Sequence, residues 1–168
     1  METPITTKFA ATARKTLAAR GFTLIELMVT ITIIIVIAAI AIPNLIRSRM
    51  TANEGAAIGA MRTIGSAEQQ FQSAAIAVDA AGVARYGTLA ELMVEVPSFV
   101  DATFSSGARQ GYNFAVVLAG APGSPAYAAN ADPMVMDGTG SRGFFTDESG
   151  VITFKTGAVA GPGDPAVQ

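Results

Sequence analysis

Gly21-Phe22-Thr23-Leu24-Ile25-Glu26-Leu27 opens an apolar run in which Glu26 is the one charged residue as far as Ile42. A helix rises roughly 1.5 Å per residue, so residues 22–42 cover about 30 Å, the thickness of one bilayer hydrocarbon core. Glu26 lies one helical turn inside that span. A carboxylate in a bilayer costs about 2.5–3.5 kcal/mol at mid-membrane and less near the edge. A partner for that charge is the first thing the sequence has to supply.

The charges on either side orient the segment. Residues 1–21 hold Lys8, Arg14, Lys15 and Arg20 against Glu2 alone, whereas acids outnumber bases in the remainder. A basic head before an apolar run is a targeting pattern that stays on the cytoplasmic side. The acidic remainder carries no nucleic-acid signal. The 168-residue chain has room for one modest domain beyond the apolar segment. It has no Cys and no His, which removes a disulfide framework, a thiolate metal site, a lipid-acceptor Cys and the commonest general base.

Three readings of the N-terminus compete. Residues 1–41 are an ordinary secretory signal cut after Ala39-Ile40-Ala41; or the segment is a permanent single-span anchor; or a peptidase cuts after Gly21 on the cytoplasmic side and the apolar helix stays. An acid weakens the first and is of no use to the second. In the third, the cut creates an α-amine on Phe22, four residues from Glu26 and on the same face of a helix that includes both. The amine of one subunit then meets the Glu26 carboxylate of a neighbour shifted by about one turn. Leaving either charge buried and unpaired would cost several kcal/mol, so the pairing also sets axial register. A tolerated acid snorkelling to the membrane edge is the competing view of Glu26. Gly21 suits a peptidase that grips the chain closely, and equally a helix break before the span.

Arg20-Gly21-Phe22-Thr23-Leu24-Ile25-Glu26-Leu27 resembles the processing site of type IV pilins and of the related pseudopilins of type II secretion. The resemblance implies cleavage between Gly21 and Phe22 by a prepilin peptidase, methylation of the Phe22 amine, and a requirement for Glu26 in assembly. It also places Pro43 on the family's usual helix-kinking proline. Tyr112-x-Phe114, Ala129-x-Ala131-x-Pro133, Gly138-x-Gly140-x-Arg142 and Phe144-Phe145-x-Asp147-x-x-Gly150-Val151-Ile152 look like the sheet region of a pilin and pseudopilin subgroup. Many pilins close their C-terminal loop with a disulfide; this chain must hold that edge by hydrogen bonds, by a hairpin or by an ion.

The expected organisation is an α+β, pilin-like fold. Residues 1–21 form a basic leader that is removed, 22–42 a transmembrane and assembly helix, and 43–78 its amphipathic continuation. Residues 79–156 form a globular head with an antiparallel sheet, and 157–168 a flexible tail. Pro43 predicts a kink or local melting near residues 39–44. Met61, Ile64, Phe71, Ala74, Ala75 and Val78 recur at helical spacing and predict the buried stripe. Thr88-Leu89-Ala90-Glu91 reads as a capping box opening a short helix that ends before Pro97. Residues 112–118 read as a strand. Residues 121–140 read mainly as loop, with a strand near 127–130. Residues 144–154 read as a hairpin turning at Asp147-Glu148-Ser149-Gly150.

Chemistry in the head finds little support. Asp132, Asp137 and Asp147, with Glu148, offer oxygen ligands on loops that suit Ca²⁺, although no EF-hand spacing occurs, loop acids are usually just solvated, and Asp137-Gly138 and Asp147-x-x-Gly150 read more simply as turns. The Gly-rich stretch 138–143 lacks a P-loop Lys, and Ser141 and Ser149 have no His to activate them. No enzyme and no other cofactor is expected. The resemblance implies a structural prepilin. It is held in the bacterial inner membrane, processed by the prepilin peptidase, handled by inner-membrane assembly machinery, and polymerised with itself and minor pilins into a type IV pilus fibre for adhesion, twitching or DNA uptake. The alternatives are a major-type pseudopilin of a periplasmic type II secretion pseudopilus and a membrane-tethered binding protein that does not polymerise.

Overall fold

The computed structural model describes residues 21–94 and 97–167, and the chain divides into two compact units, Met1–Ile40 and Ala41–Gln168. The leader expected at residues 1–20 lies outside the described residues. One long helix, α1 (Leu24–Ser73), contributes to both units. Its first part is apolar and exposed; its buried residues begin at Glu54. The layout is α+β and pilin-like: a long N-terminal helix followed by a small five-stranded antiparallel sheet.

Two expectations about α1 are corrected. The helix does not melt near residues 39–44, because it is helical on both sides of Pro43. Proline's fixed φ is compatible with helix, while its ring still clashes with the carbonyl four residues back, so it is the melting and not the expected kink that is corrected. The helix also stops at Ser73 rather than continuing to residue 78. Ala75 turns to φ 49, and its N–H donates to the Gln72 carbonyl at 3.0 Å. The Asp79 carboxylate then accepts from the Ala81 and Val83 N–H groups at 2.8 and 2.9 Å. An aspartate-centred turn of this kind offers the backbone an alternative to helix. Ala74, Ala75 and Val78 consequently lie outside the helix and are exposed.

A short helix, α2 (Leu89–Val94), follows. Its capping box forms as read: the Thr88 N–H donates to Glu91 Oε2 at 2.7 Å and the Glu91 N–H to Thr88 Oγ1 at 3.3 Å. Arg85 pairs with the same carboxylate at 2.6 Å. Mainly through that guanidinium, Glu91 is held down to about 2.

The sheet is a meander, β1 (Ala108–Arg109), β2 (Tyr112–Ala121), β3 (Ser124–Pro133), β4 (Arg142–Asp147) and β5 (Thr153–Thr156), with spatial order equal to chain order. The segment expected to be mainly loop contains the whole of β3, which pairs with β2 from Tyr112↔Pro133 to Ala121↔Ser124. Its Ala, Asn and Pro content is poor in strand formers, but β2 supplies a ten-residue template and Pro122-Gly123 supplies the turn, with Gly123 at φ 88. The β4–β5 hairpin turns at the expected residues, the Gly150 N–H donating to the Asp147 carbonyl.

The core of the Ala41–Gln168 unit joins Ala57, Met61, Ile64 and Phe71 of α1 to side chains of β2, β3 and β4. Ala129 and Ala131 are fully buried members of that core. Two acids share the buried helix stripe. Glu54 accepts from the Ser141 N–H and hydroxyl, both at 2.9 Å, and from Arg142 Nε at 2.8 Å. Burial opposes its ionisation, yet these donors outweigh burial and hold its carboxyl below the usual value. Arg142 in turn lies over the Phe144 and Phe154 rings. Glu68 is 0 % exposed. Its Oε2 accepts from the Gly87 N–H at 2.8 Å, while Oε1 and the nearby Tyr127 hydroxyl are buried without a partner among the described residues.

Residues 157–167 correct the expectation of a flexible tail. The Phe154 N–H donates to the Pro165 carbonyl at 2.9 Å and the Val167 N–H to the Ile152 carbonyl at 2.8 Å. The Thr153 hydroxyl donates to the Gly161 carbonyl at 2.8 Å, and Ala160 is buried. The outer edge of β5 would otherwise carry unpaired backbone groups, and the returning chain satisfies them. Hydrogen bonds thus close the edge that the missing Cys leaves open.

Burial pushes the Glu68 carboxyl up to about 7, against the opposing pull of the Gly87 N–H. The folded protein therefore keeps a proton that the unfolded chain loses from about pH 4.5 upward, and stability falls as pH rises from there to about 7. Glu91 and Arg85 carry the nearby charges, and Tyr86 and Tyr127 the nearby hydroxyls. Glu68→Gln is expected to raise stability by roughly 2–3 kcal/mol at pH 8 and to leave it nearly unchanged at pH 4. Thermal unfolding in detergent at the two pH values checks this; equal effects at both would refute it.

Candidate functional site: the N-terminal assembly segment

The functional residues read from the sequence gather at the start of α1. Gly21, Phe22 and Thr23 precede the helix in non-helical conformation. A side chain added at Gly21 would meet nothing within 4 Å among the described residues. Phe22 is 87 % exposed.

Glu26 has a partner that the reading of the sequence did not find. The Thr23 N–H donates to Glu26 Oε2 at 2.9 Å and the Thr23 hydroxyl to the same atom at 2.7 Å. The Glu26 N–H returns a bond to Thr23 Oγ1 at 3.2 Å. This is a capping box, with Thr23 at the N-cap and Glu26 three residues on. The signal was the spacing recognised at Thr88 and Glu91. The box also corrects the position of Phe22. Helix begins at Leu24, so Phe22 and Glu26 do not share a helix face in this chain; Phe22 stands just outside the first turn.

The box changes the electrostatics of the acid. A carboxylate in the first turn faces the unsatisfied N–H groups and the positive end of the helix. Both Thr23 donors converge on Oε2, and Oε1 makes no hydrogen bond among the described residues. One oxygen is thus committed to its own helix, and the other has no hydrogen-bond partner among the described residues. The remaining hydroxyls of the apolar run turn inward: Thr30 donates to the Glu26 carbonyl at 2.7 Å and Thr32 to the Met28 carbonyl at 2.8 Å. With those groups satisfied, the surface offered by residues 24–40 is suited to lipid or to other apolar helices. Among the described residues α1 is the one helix long and apolar enough to cross a membrane.

Of the head acids considered for chemistry, Asp132 and Asp147 lie apart along the sheet. Asp132 lies at one end of β3 and Asp147 is registered against Ala128 at the other side of the β3–β4 pairing, roughly four strand residues or about 13 Å apart. No group of three acids that could hold a metal occurs among the described residues. Asp147 Oδ1 accepts from the Ser149 N–H at 2.9 Å, as a turn residue does. Burial raises the Asp132 carboxyl above its usual value. Ser141 donates its hydroxyl to Glu54, and Ser149 Oγ accepts from the Val151 N–H. The Gly-rich stretch serves packing: a side chain at Gly140 would overlap the Tyr112 ring and hydroxyl.

The family model described as the prokaryotic N-terminal methylation motif matches residues 17–42. That motif is the hallmark of type IV pilins and pseudopilins, and it fits an inner-membrane-anchored precursor. Comparison with curated proteins and with solved structures gave no match.

If the box holds the first turn, Thr23→Ala is expected to speed amide exchange at residues 24–27 by about fivefold in detergent or bicelles, the size of one lost cap, and Thr23→Ser to preserve protection. Unchanged exchange in Thr23→Ala would refute the capping role.

Proposed function

We propose that this chain, which carries the N-terminal motif of pilin-like precursors, is a structural subunit that is cut between Gly21 and Phe22, methylated at Phe22 and polymerised into a type IV pilus. The observation that carries the proposal is the half-committed carboxylate. Glu26 Oε2 is held by Thr23, while Oε1 stays available at the end of the helix beside the expected cut.

Before cleavage Phe22 contributes an amide. Afterwards it contributes a cation, and the one acid in the apolar run is the natural counter-charge. Pairing between neighbouring subunits satisfies both groups without water, where an unpaired charge would be strongly unfavourable. In lipid the hydrophobic gain from helix association is small. Close packing at small residues such as Ala38, Ala39, Ala41, Gly55 and Gly59 joins the charge pair in driving assembly. The prepilin peptidase, the inner-membrane machinery and minor pilins are the partners this reading requires. Pro43 serves as the family's kink position only if the assembled helix bends there.

A second reading, a pseudopilin of type II secretion, is favoured by the sheet-region pattern and by an edge closed with hydrogen bonds instead of a disulfide. Electron microscopy of surface fibres separates the two. A solitary membrane-tethered binding protein would give neither fibres nor crosslinked ladders.

Glu26→Ala is expected to be trimmed normally but to yield no fibres; wild-type fibre yield would sink the register role. Gly21→Val is expected to leave the precursor uncut on immunoblots. Normal trimming of that variant would move the cut site elsewhere.

A further inference from the structure

Two exposed patches of the Ala41–Gln168 unit match each other in chemistry. On α1, Ile42, Leu45, Ile46 and Arg49 recur at spacings of three, four and seven, which puts them on one helix face. The three apolar residues are 56, 53 and 45 % exposed. Arg49 is exposed and makes no ion pair among the described residues.

The other patch is the loop between β3 and β4. Met134, Val135 and Met136 are 53, 59 and 39 % exposed, and the exposed Asp137 follows them without an ion-pair partner among the described residues. Three consecutive apolar side chains facing water call for a covering surface. The loop is also held in shape. The Met134 N–H donates to the Gly111 carbonyl at 2.9 Å and the Thr139 N–H to the Val135 carbonyl at 2.8 Å. The Asp137 N–H donates to the Gly140 carbonyl at 2.9 Å, and Asn53 Nδ2 to the Thr139 carbonyl at 2.9 Å. A loop fixed in this way loses little entropy on docking.

We propose that in the fibre the 134–137 loop of one subunit docks on the face formed by Ile42, Leu45, Ile46 and Arg49 of a second copy, with Asp137 against Arg49. This rests on the polymerisation reading above. A second copy is the occupant because one chain carries both halves: three apolar residues ending in an anion, and three ending in a cation. Within a single copy the contact is not made, since both patches are exposed. The two patches differ, so the contact is head-to-tail, the type that builds an open helical filament rather than a closed dimer. A lipid surface would cover the apolar residues but would leave Asp137 without its cation.

The chain has no cysteine, so introduced thiols report on this contact alone. Oxidised fibres of the full-length Val135→Cys, Ile46→Cys double variant are expected to give a ladder of multimers on non-reducing gels that neither single variant gives. Asp137→Arg is expected to cut fibre yield about fivefold, and adding Arg49→Asp to restore it to within about twofold of the parent. Fibres at parental yield with no ladder, or a reversed pair that does not rescue, overturn the docking and leave polymerisation standing. A parent that forms no fibres overturns the polymerisation reading and the docking with it.

Discussion

A carboxylate at the mouth of an apolar helix is the constraint from which the rest follows. Glu26 is the one charged residue of 22–42, and in the proposed fibre it is the group that would fix the register of one copy against another. Thr23 makes the acid tolerable by lending it two donors, and the helix N-terminus adds its partial positive charge. The arrangement satisfies the carboxylate in part, and Oε1 has no hydrogen bond among the described residues. The same box sets where the helix starts, and so leaves the Gly21–Phe22 bond outside it.

The head solves a related problem with buried acids. Glu54 and Glu68 sit at helical spacing with Ala57, Met61, Ile64 and Phe71 on the face that meets the sheet. Glu54 is fully supplied with donors from Ser141 and Arg142, and so ties α1 to the start of β4. Glu68 is buried, with one donor and one orphan oxygen among the described residues, and so resists ionisation. Two acids on one stripe therefore have opposite behaviour, set by the donors each one meets.

Much of this was legible in the sequence. The apolar run, the acid inside it, the α+β order and the second capping box were each carried by short-range patterns of residue type. So were Met61, Ile64 and Phe71 as core. What escaped depended on distant partners or on competition between local choices. The end of α1 was set by the Asp79 turn, which outcompeted a continuing helix. β3 was hidden by its Ala, Asn and Pro content, and its strand state came from pairing with β2. The tail carried no hydrophobic signal; its order comes from backbone groups that the edge of β5 leaves free. The burial of Glu54 and Glu68 had a visible cue, since both fall on the stripe, but their residue type argued against it. The Thr23–Glu26 box was readable from spacing alone and was masked by the apolar context.

Mass spectrometry of the native N-terminus bears most directly on the charge pairing. A polypeptide that begins at Phe22 with a methylated amine places the new cation four residues from the only acid in the span, as expected. A polypeptide that begins at Ile42, or one that retains its basic leader in the membrane, contains no such cation and contradicts it.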